Sequence, residues 1–523
     1  MKLSGRFAAI ALLLGATFVS AQTNPGEWRT YGQNPQGWRY SDLTQIDTRT
    51  VARLAPRWIY QTGVPGKSET TPLVFDGMMF LAGTSNNSWA LDAHTGRPVW
   101  HIHQTPPTPL DLCCGEVSRG FAVHGDKLFR VNIEGTLVAL DIKSGTTLWE
   151  TKLADYKQGY SATAAPLVVK NLVLTGIAGA EFGTRSFIDA YDVETGKQVW
   201  RFYTVPEAGE PGGDSWSGDS WKRGGASTWI TGSYDPELNL VYWGTGNPGP
   251  DMDGDVRRGD NLYSCSVVAL DADTGKLKWF YQFTPHDTHD WDAISDLLPV
   301  DLTVDGRQVK GLIQANRNGF FYTLDRTNGK VLKARAYTKV TWADGIGPDG
   351  RPILIAGQEP TEEGKFACPG LGGGHNWQAS TYSPRTGFYY FSSSENCHLF
   401  YKSKQDFTAG QWYQASNVEG PPGTHGTGAI LAVDPTTGQT KWRFDLVSTP
   451  SAGLLATAGG LVFTGDREGY LIAFDDRTGK VLWKFQTGAP VDAPPISYAL
   501  DGQQYIAVAA GPAILTFALP AAK

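Results

Sequence analysis

The chain has 523 residues, a formal net charge of −7 and 41% hydrophobic residues. Its Lys and Arg residues form no long basic run, which argues against a nucleic-acid-binding protein, because such proteins concentrate basic side chains on one surface. Length alone would suggest about three domains, but the repeat described below favours one unit with one large core.

The first residues have the pattern of an export signal. Lys2 and Arg6 precede an apolar run from Phe7 to Val19, and small residues follow. This order is typical of a cleaved signal peptide, so we expect residues 1–21 to be removed after Ala21 and the mature chain to be periplasmic. The alternative is an uncleaved anchor. The rest of the chain has no apolar run long enough to span a membrane, and export would allow its cysteines to pair.

A repeated pattern then runs through the chain: Asp, Gly four residues later, and Trp four residues after the Gly. The complete copies are Asp92-Gly96-Trp100, Asp141-Gly145-Trp149, Asp192-Gly196-Trp200, Asp271-Gly275-Trp279, Asp434-Gly438-Trp442 and Asp475-Gly479-Trp483. A further copy, Asp325-Gly329, has Lys333 in place of Trp. Self-similarity at such intervals indicates a repeat architecture rather than a series of unrelated domains.

Each copy joins two predicted strands. A short apolar run enters the Asp, a turn containing Gly at positive φ follows, and a second strand contains the Trp. The absence of an amphipathic helical pattern and the repeat spacing predict an all-β fold, an eight-bladed β-propeller formed by residues 22–523 as a single domain. We interpret the Trp as packing between blades. The C-terminal strand Tyr505–Ala509 is expected to pair with an N-terminal strand and close the ring, which removes exposed sheet edges.

Two intervals between copies are longer than the rest. Residues 207–222 are predicted to be an extra loop. Between Lys333 and Trp442, one more set of strands is predicted around residues 377–380 and 387–391, and this set brings the blade count to eight. The segments 207–221 and 412–425 are expected to shape a ligand pocket.

The five cysteines offer several pairings. Cys113 and Cys114 are adjacent, and they are either two free thiols or a strained vicinal disulfide; backbone strain often lies at functional sites. Cys368 and Cys397 could pair conventionally, which would leave Cys265 free.

A second group of residues could bind a cation. Asp290 and Asp292 are separated by one residue, so in an extended backbone both can face one hard ion. Glu181 follows small residues after an apolar strand, Asn247 lies in a Gly-rich turn, and Arg317 lies beside an Asn-Gly turn. Taken one at a time, these are also ordinary features of a solvated loop, a plain turn and an exposed side chain.

In combination and in chain order, these segments resemble the quinoprotein alcohol dehydrogenases that use pyrroloquinoline quinone (PQQ). The resemblance covers nearly the whole mature chain. The matching segments are Cys113-Cys114-Gly115, Gly179-Ala180-Glu181, Gly244-Thr245-Gly246-Asn247-Pro248, Pro285-His286-Asp287 with Asp290, and Asn316-Arg317-Asn318-Gly319. The family is an eight-bladed propeller whose cofactor lies at the ring axis, in agreement with the repeat.

The resemblance implies a role for each matching residue. The implied catalytic residues are Asp290, as the base that takes the alcohol proton, and Arg317, as a fixed positive charge. The implied metal ligands are Glu181, Asn247, Asp290 and Asp292. The implied cofactor-binding residues are Glu69, Cys113, Cys114, Arg119, Thr163, Gly179, Ala180, Ser227, Trp229, Arg317 and Asn396. In this comparison a Cys113–Cys114 disulfide lies over one face of the quinone and Trp229 over the other. Ser227 replaces a common Thr, and Ala178 replaces a common Ser.

Asp292 bears on the identity of the metal. In the calcium enzymes of this family the residue two positions after the catalytic Asp is small, whereas Asp292 resembles the lanthanide-dependent branch. A trivalent ion tolerates one more carboxylate than a divalent ion does. We therefore expect a lanthanide (La, Ce or Nd), with Ca²⁺ as the alternative. The opposing interpretation is that Asp292 points to solvent.

The resemblance also implies partners. The substrate is expected to be a small, primary alcohol. Because the sequence has no Cys-x-x-Cys-His haem motif, electrons are expected to leave to a separate periplasmic cytochrome c. A homodimer is left open. The competing functions are a cofactor-free propeller scaffold that binds proteins and a sugar dehydrogenase on the same fold.

Overall fold

The computed structural model describes residues 26–421 and 426–521. The predicted signal peptide therefore lies outside the described residues. Within them the regular structure consists of β-strands and short 3₁₀ helices, with no α-helix, so the all-β prediction is confirmed. The described residues also contain no helix with the length and apolar character of a membrane span.

The strands, in chain order, are β1 (Tyr40–Ser41), β2 (Ala55–Gln61), β3 (Leu73–Phe75), β4 (Met78–Ala82), β5 (Asn87–Asp92), β6 (Pro98–His103), β7 (Ala122–His124), β8 (Lys127–Asn132), β9 (Thr136–Asp141), β10 (Thr147–Lys152), β11 (Leu167–Val169), β12 (Leu172–Gly176), β13 (Phe187–Asp192), β14 (Gln198–Tyr203), β15 (Ser233–Asp235), β16 (Leu240–Gly244), β17 (Ser266–Asp271), β18 (Leu277–Gln282), β19 (Leu298–Val304), β20 (Arg307–Ala315), β21 (Phe320–Asp325), β22 (Val331–Ala336), β23 (Ala343–Ile346), β24 (Pro352–Leu354), β25 (Lys365–Ala367), β26 (Thr381–Ser383), β27 (Phe388–Glu395), β28 (His398–Lys402), β29 (Ser416–Glu419), β30 (Thr427–Asp434), β31 (Gln439–Leu446), β32 (Leu454–Thr457), β33 (Leu461–Gly465), β34 (Tyr470–Asp475), β35 (Val481–Gln486), β36 (Ile496–Leu500), β37 (Gln503–Ala510) and β38 (Ala513–Ala518). The 3₁₀ helices are Val51–Arg53, Tyr156–Gln158, Ala180–Phe182, Gly213–Ser215, Ser220–Arg223 and Gly254–Arg257.

Within the described residues, the strands form eight sheets of four or five strands and two smaller ones. In strand order the larger sheets are sheet 1 (β3-β4-β5-β6), sheet 2 (β7-β8-β9-β10), sheet 3 (β11-β12-β13-β14), sheet 4 (β15-β16-β17-β18), sheet 5 (β19-β20-β21-β22), sheet 6 (β26-β27-β30-β31), sheet 7 (β1-β32-β33-β34-β35) and sheet 8 (β36-β37-β38-β2). Apart from the parallel pair β1–β32, neighbouring strands are antiparallel, as local hairpin connections require.

The strand set predicted between Lys333 and Trp442 is present as sheet 6. The predicted strand at residues 377–380 is wrong, because none of these residues is in a strand and the first strand of the sheet is Thr381–Ser383. The small sheets β23-β24 and β25-β28-β29 are insertions beside it that the repeat pattern did not indicate. Residues 207–222 form the predicted extra loop, and its Trp216 is buried against Val205 and Ala226.

Both ends of the chain contribute to sheet 8. The N-terminal strand β2 pairs with β38, with Trp58 opposite Thr516. The expectation that Tyr505–Ala509 would make this contact is wrong, because those residues belong to β37, which pairs with β36 and β38. The chain turns once more after β37 and adds a last strand.

The repeated Trp side chains join one sheet to the next. Each indole Nε1 donates a hydrogen bond to a backbone carbonyl of the following sheet, in most cases that of the residue directly after the repeat Asp. The bonds are Trp58–Ala93 (3.2 Å), Trp100–Ile142 (3.1 Å), Trp149–Val193 (3.2 Å), Trp200–Ala272 (3.1 Å), Trp279–Arg326 (3.1 Å), Trp442–Asp476 (2.9 Å) and Trp483–Leu54 (3.1 Å). The packing role assigned to the repeat Trp thus has a definite geometry.

The repeat Gly provides the surface on which the Trp lies. A Cβ placed on Gly196, which has φ +66°, would be 2.5 Å from the ring of Trp149. The same holds for Gly275 and Trp200 at 2.5 Å. The Gly is therefore required twice, for its left-handed backbone and for the close approach of the indole.

The repeat Asp closes the turn that presents this surface. One carboxylate oxygen of Asp92 accepts hydrogen bonds from the backbone N–H of His94 at 3.0 Å and of Thr95 at 2.9 Å. Asp192 makes the equivalent bond to Thr195 at 2.9 Å. Such local carboxylate-to-backbone bonds are a known way of fixing a tight turn.

The copy that lacks Trp uses other contacts. Lys333 forms an ion pair with Asp305 at 2.9 Å. At the next turn, Gly438 faces the side chain of Arg335, whose Cβ would lie 3.0 Å from an added Cβ. The interface between sheets 5 and 6 is instead filled by a buried cluster in which Phe321 packs against Tyr389.

We predict that Gly196→Ala destabilises the fold by about 1–3 kcal/mol more than Gly77→Ala does, because overpacking adds to the cost of a left-handed alanine. Gly77 is a matched control, since its φ is +73° and nothing lies within 4 Å of an added Cβ. Chemical unfolding of both variants measures the difference. Equal losses would show that the contact with Trp149 is not restrictive.

Candidate active site

A cavity of about 330 Å³ lies where the segments that enter the first strands of consecutive sheets come together. Glu69 precedes β3, Arg119 precedes β7, Thr163 precedes β11, Trp229 precedes β15 and Trp377 precedes β26. The lining residues are Lys67, Glu69, Leu112, Cys113, Cys114, Gly115, Val117, Arg119, Ser161, Thr163, Ala178, Gly179, Glu181, Ser227, Trp229, Asp290, Asp292, Arg317, Leu371, Gly372, Asn376, Trp377 and Gln414.

Most of the residues predicted from the sequence lie in this wall. Three do not. Ala180 is buried in the 3₁₀ helix Ala180–Phe182, Asn247 is buried behind Asp292, and the carbonyl of Asn396 accepts a hydrogen bond from the backbone of Gly370. Two segments were predicted to shape the pocket. The segment 412–425, of which residues 422–425 lie outside the described part, contributes Gln414 to the cavity wall. The segment 207–221 contributes no lining residue.

Arg119 is the centre of one end of the cavity. Its guanidinium pairs with Glu69 at 2.6 Å and donates to the Thr163 hydroxyl at 2.7 Å. It also lies 4.9 Å from the ring centroid of Trp229 and 5.5 Å from that of Trp377. Its buried Nε has no acceptor within the described residues. This end therefore presents a positive charge, an unused donor and two aromatic rings.

Sequence reasoning missed Lys67 and Trp377. The Lys67 ammonium pairs with Glu69 and lies 4.2 Å from the centroid of Trp377, so it adds a second cation to the same end. Trp377 carried one usable signal, because it is a tryptophan outside the Asp-Gly-Trp repeat. Lys67 carried none, because a single Lys in a Gly- and Ser-containing loop is ordinary.

Arg317 is the centre of the opposite end. Its two terminal nitrogens donate to Asp290 at 3.0 Å and Asp292 at 2.7 Å. Asp292 also accepts from the Trp229 indole at 2.9 Å and from the backbone N–H of Asn247 at 2.6 Å. Asp292 is only 3% exposed, which excludes the interpretation that it points to solvent.

Carboxyl groups are crowded at this end. Burial, together with the nearby Asp292, raises the pKa of Glu181 to about 7. Burial raises the pKa of Asp290 well above its ordinary value even though Arg317 opposes the change, and Asp292 adds to the rise. Burial and then Glu181 do the same to the pKa of Asp251. If all of them were ionised, these carboxyl groups would carry more negative charge than Arg317 alone balances.

This donor set fits an oxygen-preferring cation of high charge. Within residues 26–421 and 426–521, no group of three or more His, Cys, Asp or Glu side chains is close enough together to hold an ion as it stands. Arg317 is drawn in between Asp290 and Asp292, which is where positive charge is needed. The unused Nε atoms of Arg119 and Arg317, both buried without an acceptor in the described residues, fit an anionic ligand with polar groups at both ends.

Two disulfides are present in the described part of the chain. Cys113 is bonded to its neighbour Cys114 in the cavity wall. Cys368 is bonded to Cys397 with a Cα–Cα distance of 4.4 Å, and Cys265 is free and buried. Of the alternatives left open by the sequence, the structure contains the vicinal disulfide and the conventional pair.

Comparison with known proteins agrees with this fold. Residues 28–344 match the family described as glucose/ethanol/alcohol dehydrogenase, β-propeller domain, and residues 426–518 match that of the outer membrane protein assembly factor BamB. The quinoprotein alcohol dehydrogenase PedH of Pseudomonas putida is 38% identical over 96% of this chain and 89% of its own length. The lanthanide-dependent methanol dehydrogenase of Methylacidiphilum fumariolicum is 36% identical over 94% of this chain and 86% of its own length.

Among solved structures, a europium-containing methanol dehydrogenase superimposes with a TM-score of 0.91 and 33% identity, covering 95% of this chain and 99% of that one. The class that fold and site define is therefore an all-β propeller oxidoreductase with a charged internal cavity. The chain belongs to the family of PQQ-dependent alcohol dehydrogenases.

The two disulfides should differ in their contribution to stability. We predict that removing Cys113–Cys114 by double Ser substitution changes the free energy of unfolding little, because the closed loop is too short to restrict the unfolded chain. Removing Cys368–Cys397, with a sequence separation of 29, should cost about 2–4 kcal/mol. Denaturant titration of both double variants measures the contrast. A large loss from the first variant would contradict the prediction.

Proposed function

We propose that this protein oxidises a small primary alcohol to the aldehyde in the periplasm, with PQQ and a lanthanide cation in the cavity, and passes the electrons to a separate cytochrome c. The observation that carries this proposal is the polarity of the cavity. Arg119 and Lys67 with two aromatic rings form one end, and Arg317 between Asp290 and Asp292 forms the other. The sequence has no covalent haem motif, which supports an external electron acceptor.

The cationic end is proposed to hold carboxylate groups of the quinone. Arg119 supplies its unused Nε there, and Lys67 supplies an ammonium group. Trp229 and the Cys113–Cys114 bond are proposed to contact the two faces of the ring system. The remaining contacts are assigned to Glu69, Thr163, Gly179, Ala180, Ser227, Arg317 and Asn396.

The acidic end is proposed to hold the cation, through Glu181, Asn247, Asp290 and Asp292. All four supply oxygen atoms, the ligands preferred by hard ions. A trivalent ion is favoured over Ca²⁺ because Asp292 is buried and already close to other carboxylates, and like charges at short range are tolerated only when more positive charge balances them.

When bound, the quinone supplies a two-electron acceptor and the cation supplies a Lewis acid. The residues of the chain do the rest. Asp290 has an 18% exposed side chain in a cavity wall, and it is the proposed base that removes the hydroxyl proton of the alcohol. Arg317, only 5% exposed, fixes that carboxylate and places a positive charge beside an oxygen that becomes negative as the proton leaves. The hydrogen bonds of Arg317 to Asp292 and to the Leu371 carbonyl keep it in place.

The architecture is part of the same proposal. The eight large sheets are proposed to be eight blades of a ring, closed by the pairing of β2 with β38. In this proposal residues 22–523 form one domain after removal of residues 1–21. Export of this kind would bring the enzyme to the compartment where periplasmic cytochromes c are found.

Two other functions compete with this proposal. A cofactor-free scaffold gives no reason for buried charges at both ends of a cavity, and membership of a dehydrogenase family removes it. A sugar substrate remains the competitor, since the matching family is described as including glucose dehydrogenases. The small cavity and the vicinal disulfide in its wall support the alcohol.

The proposed activity is tested by oxidation of a panel of primary alcohols and sugars by the protein reconstituted with PQQ and metal. An artificial dye should be reduced and NAD should not. Asp290→Asn should lose about 10²-fold or more in turnover, because the base is removed, whereas Asp305→Asn, at the surface ion pair with Lys333, should not change. Absorbance of bound quinone establishes that the variants are loaded. Near-parental turnover in loaded Asp290→Asn would rule out this base, and NAD reduction without dye would reject the function.

The metal preference is tested separately. We predict higher turnover with La³⁺, Ce³⁺ or Nd³⁺ than with Ca²⁺, and loss of this preference in Asp292→Ala, because the variant site carries one negative charge fewer. Metal titrations of parent and variant, followed by dye reduction, measure the ratio. Full activity of the parent with Ca²⁺ alone, unchanged by added lanthanide, would show that Asp292 is not a ligand.

A further inference from the structure

A further carboxyl group, that of Asp251, lies directly behind the acidic end of the cavity. It is fully buried. Its Oδ1 accepts a hydrogen bond from the side-chain amide of Asn247 at 2.8 Å, and its Oδ2 is buried with no hydrogen-bond partner among the described residues. A buried carboxylate oxygen without a partner is costly, so its presence requires an explanation.

The backbone around Asp251 is held firmly, but its charge is not neutralised by a direct pair. The buried guanidinium of Arg257 donates to the backbone carbonyls of Pro250 at 2.9 Å, Asp251 at 3.0 Å and Asp287 at 2.6 Å. It also donates to the Asn261 side chain. None of these bonds goes to the carboxylate of Asp251. Arg257 thus fixes the position of Asp251 and leaves its carboxyl group available for another partner.

Asn247 connects Asp251 to the cavity. Its backbone N–H binds Asp292, and its side-chain Nδ2 binds Asp251. Because Nδ2 is held by Asp251, the side-chain oxygen Oδ1 is turned away from Asp251. A cation accepts an amide oxygen and not an amide nitrogen as a ligand, so the orientation of this amide decides whether Asn247 can bind an ion.

We propose that Asp251 is a positioning residue of the cation site: it holds the Asn247 amide with the oxygen toward the cation, and its unpaired carboxylate adds negative charge that favours a trivalent ion. The inference deepens the proposed function and rests on it. It assigns a residue that does not contact the cavity to the selectivity of the site. Groups that orient metal ligands typically change metal affinity by about 10–100-fold when they are replaced.

The test compares three variants of the full-length protein, with and without PQQ. Asp251→Asn keeps the shape and an acceptor for Asn247 but removes the charge. Asp251→Ala removes both. Asp255→Asn is the matched control, because it removes the same charge four residues away, where Asp255 forms an exposed ion pair with Lys402. Tb³⁺ emission sensitised by the nearby Trp229 gives the affinity, competition with Ca²⁺ gives the selectivity, and Eu³⁺ luminescence lifetimes in H₂O and D₂O give the number of bound waters.

We expect Asp251→Asn to lose about 10–100-fold in Tb³⁺ affinity, to lose less in Ca²⁺ affinity and to keep the Eu³⁺ hydration number. Asp251→Ala should lose affinity and also gain a bound water, as the freed amide of Asn247 turns away. If Asp251→Ala does not fold, the comparison of Asp251→Asn with Asp255→Asn still decides the question, because the Asn side chain has the same shape as Asp.

Tb³⁺ affinity and selectivity of Asp251→Asn equal to those of Asp255→Asn would overturn the role of Asp251. A different failure would overturn the proposed cation site as a whole: parent protein that binds neither Tb³⁺ nor Ca²⁺, with or without PQQ. The two failures are distinguishable, because in the first the parent binds the ion and in the second it does not.

Discussion

The contact on which the molecule depends is the indole of one sheet lying against the glycine turn of the next. Each such contact combines the burial of a large ring with a hydrogen bond to a backbone carbonyl, about 0.5–1.5 kcal/mol for the bond itself and several kcal/mol for the ring. An indole joins every pair of neighbouring large sheets except sheets 5 and 6, so the spacing between the other sheets is set by a rigid group. Aliphatic packing alone would fix this spacing less closely.

That spacing is what allows a site to be built from loops. Glu69, Arg119, Thr163 and Trp229 come from four different sheets, yet they form one bonded group. Loops are usually the mobile part of a protein. Here each of the four residues lies three or four positions before a strand and is bonded to a neighbour from another sheet. Trp229 also donates a hydrogen bond to Asp292 at 2.9 Å, which connects this group to the crowded carboxylates of the acidic end. The resulting excess of negative charge is stable only with positive charge supplied by Arg317 or by a ligand.

The sequence alone predicted the all-β class, the repeat and most of the cavity wall. The repeat can be recognised in the sequence because its Asp and Gly form a local turn and its Trp, four residues after the Gly, packs against the next sheet. The whole pattern therefore lies within nine residues of the chain. Trp58 was missed as a member, since its sheet is assembled from both ends of the chain and no Asp-Gly turn precedes it. The insertions around residues 343–367 were missed because they follow no repeat.

Two further residues of the site could not be predicted from the sequence. Lys67 and Asp251 are recognised only by contacts that form in the folded chain, that of Lys67 with Trp377 and that of Asp251 with Asn247. The family resemblance indicated the proposed ligands of the cation but not the groups behind them. The sequence pattern also predicts a strand at residues 377–380, whereas Trp377 lies in the cavity wall and β26 begins only at Thr381.

The pairing of β2 with β38 links the beginning of the chain to its end, and this has a consequence for the order of assembly. During synthesis, sheets 1 to 6 can each form as soon as their own strands emerge, but β2 has no partner until β38, which ends at Ala518, has been made. Trp58 is part of β2, so its contact with the turn of sheet 1 also forms only after β38 has been made. The loop that carries Glu69 runs directly between β2 and β3, so the cationic end of the cavity is completed last. A chain interrupted near its end would therefore contain nearly every residue of the site and still be unable to close it around a ligand.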